Sequence, residues 1–141
     1  MRDYDNYIHS EITSRIIKEA YHVFNVLGYG FLESVYERSL EIRLKKAGFS
    51  VSRQQPIKVF FEDEIVGNFD ADIVVNDTVI VELKATQALQ AKHEVQLVNY
   101  LKATEIEIGL LINFGEEIAI KRRIFSNFGK SIESNSPPEE T

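Results

Sequence analysis

The chain has 141 residues, 44% of them apolar, enough for one domain with one core. Its formal net charge of −6 argues against a sticky, non-specific nucleic-acid binder, although a metal site contributes acids of its own and local basic patches can still track phosphates. There is no cysteine, which excludes disulfides, thiolate zinc sites and cysteine nucleophiles and makes a reducing cytoplasm the default location.

The opening segment, MRDYDNYIHSE, lacks the apolar centre of a signal peptide, and no later run approaches a membrane span in length. Ile16, Ile17, Ala20, Phe24 and Leu27 recur at helical spacing, which predicts a helix from Ser10 to Leu27 with Ser10 as N-cap and Gly28 as stop. His22 lies within it and reads as structural. The turn Gly28-Tyr29-Gly30 leads into a second predicted helix, Leu32 to Lys46. Its stripe is Leu32, Val35, Tyr36, Leu40, Leu44 and Ala47, and Gly48 closes it. Glu33 stands in the first turn, where a carboxylate is an ordinary partner for the positive end of a helix. Arg38, Arg43, Lys45 and Lys46 here, and Lys121, Arg122 and Arg123 later, are candidate phosphate-tracking clusters. Taken alone, each reads first as a solvated face.

Val51 to Phe61 alternates only partly around Gln54, Gln55 and Pro56, which predicts an edge or bent strand. An acidic turn, Glu62-Asp63-Glu64, precedes a run from Ile65 to Asp72. Two Val/Ile-rich runs broken at Asn76-Asp77 then read as a β-hairpin, with Asp72 in the first run and Glu82-Leu83-Lys84 in the second. Alternation sets Glu82 and Lys84 on one face and leaves Val79, Val81 and Leu83 to pack on a core from the other. Loop parity decides whether Asp72 joins Glu82. If Asn76 to Thr78 all stand in the loop, Val75 opposes Val79 and Asp72 opposes Glu82; a two-residue loop sets Asp72 against Val81. An odd-numbered loop or a compensating bulge is therefore expected. Two carboxylates on one face repel unless a cation separates them, and hard oxygen donors suit Mg²⁺ or Mn²⁺. A neighbouring ammonium can orient attacking water and stabilise charge on a phosphate. The plain alternative is a surface Glu82–Lys84 ion pair with Asp72 in a solvated turn. By alternation Asp70 shares the face of Asp72 and adds negative charge there.

Ala88 to Ala103 reads as a helix, with Leu89, Val95 (or Ala91), Val98 and Leu101 as apolar positions. It carries His93, read as a helix-surface residue, and Gln96 and Tyr100 one turn apart. Ile106 to Phe114 and Ile118 to Phe125 read as strands around Gly115-Glu116-Glu117. From Gly129 the chain is polar, holds Pro137-Pro138 and ends acidic. A single domain over residues 1–128 with a disordered tail, 129–141, is expected. No internal repeat is visible. The element order predicts an α/β fold: a mixed sheet with an antiparallel hairpin, flanked by helices.

In this order the motifs resemble the GxxExxY family, a branch of the PD-(D/E)XK nuclease-like superfamily. The naming motif stands as Gly30-Phe31-Leu32-Glu33-Ser34-Val35-Tyr36, and D…ExK as Asp72 with Glu82-Leu83-Lys84. The QxxxY motif of RecB-like nucleases stands as Gln96-Leu97-Val98-Asn99-Tyr100, and HEVQLVNYLKAT and GLLINFG are also similar. The likeness runs from about Ile12 to Phe125. It implies a restriction-endonuclease-like core in which Glu33 joins Asp72 and Glu82, with the main-chain carbonyl of Leu83, around Mg²⁺ or Mn²⁺. Lys84 is then placed beside the attacking water. Gln96 and Tyr100 line the site against substrate or hold Lys84, and Tyr36 is set with them on the substrate side. Gly30 is structural, letting the chain turn so that Glu33 enters. The implied activity is a metal-dependent nuclease acting on nucleic acid, DNA ahead of RNA. The alternatives are a nuclease-fold module that holds nucleic acid or protein without cutting, and an accessory subunit active only with a partner. Tyr4, Tyr7 and Tyr29 are open to a homodimer interface or to base stacking, and equally to core or disordered placement.

Overall fold

The computed structural model describes residues 9–131; Tyr4, Tyr7 and the expected tail beyond Ser131 lie outside them. Helix α1 (Ser10–Leu27) buries Thr13, Ile16, Ala20 and Val23, a stripe stepping by three and four residues. Ile17, Phe24 and Leu27 pack along its margins. Ser10 is not its cap: it is already helical, and His9 precedes it at φ 52° with no side-chain capping bond. Gly28 ends the helix as expected, at φ 71°, its N–H donating to the Phe24 carbonyl.

Helix α2 (Glu33–Lys46) begins one residue later than its apolar pattern suggests. Leu32 is 76% exposed and takes the extended conformation of a cap. The buried face holds Tyr36, Leu40 and Leu44, and between them two acids, Glu37 and Glu41. Both acids find cations: Arg53 reaches Glu37 at 3.1 Å and Glu41 at 3.1 Å, and Arg38 and Lys45 also bind Glu41.

Five strands, β1 (Val51–Phe61), β2 (Glu64–Val75), β3 (Val79–Lys84), β4 (Ile108–Phe114) and β5 (Ile118–Ile124), form one sheet in the order β1-β2-β3-β4-β5. Only β3 and β4 run parallel, and helix α3 (Ala91–Lys102) makes the crossover between them. The remaining pairs are antiparallel. This is the mixed α/β sheet expected of a restriction-endonuclease-like core. One face of β2–β4, from Ile73, Val75, Val79, Val81 and Leu83 to Leu110, Ile112 and Phe114, packs on α1 and α2. The other, from Val74, Ile80 and Leu111, packs on Leu97, Tyr100 and Leu101 of α3. Helix α3 starts three residues later than its predicted start at Ala88 and presents a different face. Val95 is 56% exposed, and Leu97, Tyr100 and Leu101 form the i, i+3, i+4 contact.

Strand β1 is the expected edge strand, with Pro56 in it and a register shift at Val59/Phe60. It turns into β2 through Glu62 and Asp63, both at positive φ (48° and 68°), the left-handed pair of a tight hairpin turn. The far half of this hairpin is an arm exposing Phe61, Ile65, Val66 and Phe69. After β5 comes a short 3₁₀ turn, Asn127–Gly129, and Lys130 donates to the carbonyls of Thr104 and Ile106 at 2.8 Å each. No described helix is long and apolar enough to cross a membrane.

Close packing of α3 depends on Gly109 in β4, where an added Cβ would stand 2.6 Å from Leu97 Cδ1. Gly109→Ala is therefore expected to lower stability by about 1–3 kcal/mol through overpacking. Urea unfolding measures it, and a loss near zero would mean that Leu97 repacks freely.

Candidate active site

The β2–β3 loop is Asn76–Thr78, three residues, with Val75 paired to Val79, Val74 to Ile80 and Ile73 to Val81. The odd count that the sequence requires is the one found. One step further Asp72 faces Glu82, and there side chains take over from the main-chain ladder. The Asp72 N–H donates to Glu82 Oε2 at 2.8 Å, and the Leu83 N–H donates to Asp72 Oδ2 at 2.8 Å. Each carboxyl group clasps the backbone of the opposite strand by accepting a main-chain N–H.

Burial, then the neighbouring Asp72 charge, push the Glu82 carboxyl up to about 8; Glu82 is only 4% exposed. Asp72 is also raised, chiefly by burial, against the Leu83 N–H and the Lys84 charge that lower it. Glu33, from the first turn of α2, is raised by burial and by Asp72 and Glu37, with Lys84 opposing. The structure thus gathers Glu33, Asp72, Glu82 and Lys84 into one electrostatic neighbourhood. Lys84 is the cation common to all three acids.

Gly30, at φ 105°, lies in the left-handed region, and open space surrounds it, so conformation alone requires the glycine. The loop it belongs to is pinned by Tyr36. The tyrosine hydroxyl donates to the Gly28 carbonyl at 2.6 Å and accepts from the Phe31 N–H at 3.4 Å. Its ring stacks on Phe114, centroids 4.4 Å apart. Tyr36 has no exposed surface, which corrects its placement on the substrate side: its contacts are with the loop that precedes Glu33.

Two residues escaped the sequence reading. Glu37, one turn after Glu33, is buried and close enough to raise both Glu33 and Asp72. Gln54 lies opposite Asp72 in β1 but outside the pairing, since the ladder steps from Arg53–Ile73 to Gln55–Ala71. Its backbone is left-handed, at φ 52°, and its amide donates to both oxygens of Glu37 at 3.1 Å and also bonds Asp72. The i, i+4 spacing of Glu33 and Glu37 was the available signal; nothing in the sequence marks Gln54.

On α3, Tyr100 is nearly buried, and burial with the charges of Glu82, Asp72 and Asp70 push its hydroxyl up to about 12. Gln96 and Tyr100 share a groove of about 490 Å³ with Val59, Phe69, Lys92, Val95 and Asn99. His93 caps α3, its Nδ1 accepting from the Gln90 N–H at 3.1 Å. Most of the basic clusters are engaged: Arg43 with Glu19, Arg38 and Lys45 with Glu41, Lys121 and Arg123 with Glu94.

The donor set suits a hard divalent ion: neighbouring carboxylates raised chiefly by burial and further by nearby acids, a cost that a doubly positive charge would offset. It is not a finished cage. Among the described residues, no three His, Cys, Asp or Glu side chains are grouped so as to hold an ion, and Asp72 and Glu82 each give an oxygen to a backbone N–H.

Compared with known proteins, residues 10–124 match the family model described as the PD-(D/E)XK nuclease superfamily. No curated protein and no solved structure matches the chain.

Glu82 gives a pH-dependent stability with a definite sign. Its folded value, about 8, lies above its ordinary 4.5, so as pH rises through that window the unfolded chain loses the proton first and stability falls. Glu82→Gln keeps an acceptor for the Asp72 N–H and removes the titration. In EDTA it is expected to melt above wild type near pH 8, the gap closing toward pH 4.5. Parallel melting curves across this range would contradict the raised value. Tyr36→Phe, which takes the donor from the Gly28 carbonyl, is expected to cost about 1 kcal/mol in denaturant unfolding; no loss would mean that the loop stands without it.

Proposed function

From the premise that the chain belongs to the PD-(D/E)XK nuclease superfamily, we propose that it is a metal-dependent nuclease hydrolysing phosphodiester bonds of nucleic acid, DNA ahead of RNA. The observation that carries this reading is the Asp72–Glu82 clasp, with Lys84 and Glu33 converging on it. Asp72, Glu82 and Glu33, with the Leu83 main-chain carbonyl, would hold Mg²⁺ or Mn²⁺. Bound there, such an ion supplies an acidified water and offsets charge on the leaving oxygen.

The chain's own groups do the rest. Lys84 lowers the pKa of all three acids, which favours the ionised donors that a cation needs. Its ammonium orients the attacking water and offsets charge on the phosphate oxygens. Gln54, bonded to Glu37 and to Asp72, ties α2 to β2 and steadies the Asp72 carboxylate. Gln96 and Tyr100 border the site on the α3 side and contact the substrate. The same arrangement supports a second reading, a nuclease-fold module that holds nucleic acid or protein without cutting. Carboxylate oxygens engaged on backbone N–H groups favour it, as does the net charge of −6.

A cleavage assay on labelled single- and double-stranded DNA and RNA, with Mg²⁺, Mn²⁺ or EDTA, separates the two. Cutting that needs metal and falls roughly a hundredfold or more in Lys84→Ala, with folding intact, supports the nuclease. Binding without cutting in any lane supports the module. Cutting that appears only on adding a cellular partner would mark an accessory subunit.

A further inference from the structure

The groove between α3 and the β1–β2 arm, which begins at Gln96 and Tyr100 on the border of the hydrolytic site, has a chemistry different from that of the acids and Lys84. Its walls are Val59, Phe69, Val95 and Tyr100, and its polar groups are the amides of Gln96 and Asn99, each offering both donors and an acceptor. Lys92 adds a cation, and no carboxylate lines the groove. At about 490 Å³ it falls within the roughly 300–1,000 Å³ of pockets that hold small organic ligands. Such a site suits a flat neutral ring with hydrogen-bonding edges and an anionic connection.

Phe69 is set up for that role by the backbone beneath it. Its ring lies over Gly67, where an added Cβ would stand 2.9 Å from Phe69 Cε2. The ring sits 5.7 Å from that of Tyr100, tilted by 44°, and Phe69 as a whole is 45% exposed. Tyr100 joins the groove to the neighbourhood of the candidate active site, since it lines the groove and feels the charges of Glu82, Asp72 and Asp70.

We infer that this groove is a nucleobase site, taking one unpaired base of the strand being cut, stacked on Phe69 and met at its edge by Gln96 and Asn99. The identity of the ligand rests on the nuclease reading; the shape and chemistry of the groove do not. A base inside a duplex has both faces stacked and its edge paired, so it cannot enter without unpairing. The substrate is then a single strand, a frayed end or a distorted duplex, and Phe69 supplies sequence-tolerant stacking.

The test is anisotropy of labelled oligothymidylate, oligouridylate and an all-abasic deoxyribose strand of the same length, in EDTA so that nothing is cut. Wild type should bind the base-bearing strands roughly tenfold or more tighter than the abasic one. Phe69→Ala, verified as folded by thermal melting, should lose that preference without weakening abasic binding. Gly67→Ala, which displaces the ring, should do the same, and Phe69→Trp should retain the preference. Equal affinity for base-bearing and abasic strands, a preference unchanged in Phe69→Ala, or no binding to any strand would each overturn the inference. Metal-dependent cutting without base preference would remove the groove's role and leave the nuclease. Base preference without cutting would do the reverse.

Discussion

Two hydrogen bonds hold the candidate site together: Asp72 N–H to the Glu82 carboxyl group, and Leu83 N–H to the Asp72 carboxyl group. They stand where another ladder bond would otherwise form, and their existence depends on loop parity. Removing one residue from Asn76–Thr78 would send one of the acids to the opposite face, into the packing against α1 and α2. Because the clasp replaces the ladder there, β2 is released from β3 and continues against β1 alone. The parallel β3–β4 pair forces a crossover, and that crossover brings α3 over the same face as the acids.

The site is destabilising by construction. Like charges are packed at the sheet with limited access to water, and the upward shifts of Glu33, Asp72 and Glu82 express that cost. A left-handed glutamine in a strand adds to it. Compensation comes from elsewhere: a continuous apolar layer under α1 and α2, the Tyr36–Phe114 stack, and the Arg53 bridges to Glu37 and Glu41. Much of the positive surface charge is paired with the chain's own acids, as with Lys121 and Arg123 on the part-exposed Glu94. A phosphate approaching the site therefore meets Lys84 more than a broad basic field.

The sheet, the hairpin and the acids were legible because they obey local rules. Alternation set Glu82 and Lys84 together, parity fixed the loop, and α1 follows its stripe from Ser10 to Leu27. Reading failed where partners come from afar. Leu32 and Val95 look like core residues yet are exposed, because cap geometry and the tilt of α3 are set by tertiary packing. Glu37 and Glu41 look like surface acids of a helix yet are buried, because Arg53 reaches them from strand β1. Tyr36 belongs to a motif, but its task shows only once Phe114 and the Gly28 carbonyl are beside it. For Gln54 there was nothing to read: residue type does not announce a left-handed backbone.

The β1–β2 arm presents open strand edges and several bare apolar side chains, a combination that invites another chain to zip alongside and seed aggregates. Three features make it a poor template. Pro56 lacks an N–H to offer, the irregularity at Val59/Phe60 breaks the regular spacing a visiting strand would need, and Glu62, Asp63 and Glu64 crowd its tip with negative charge. The exposed arm can thus keep its apolar residues at the surface while disfavouring self-assembly through its edge.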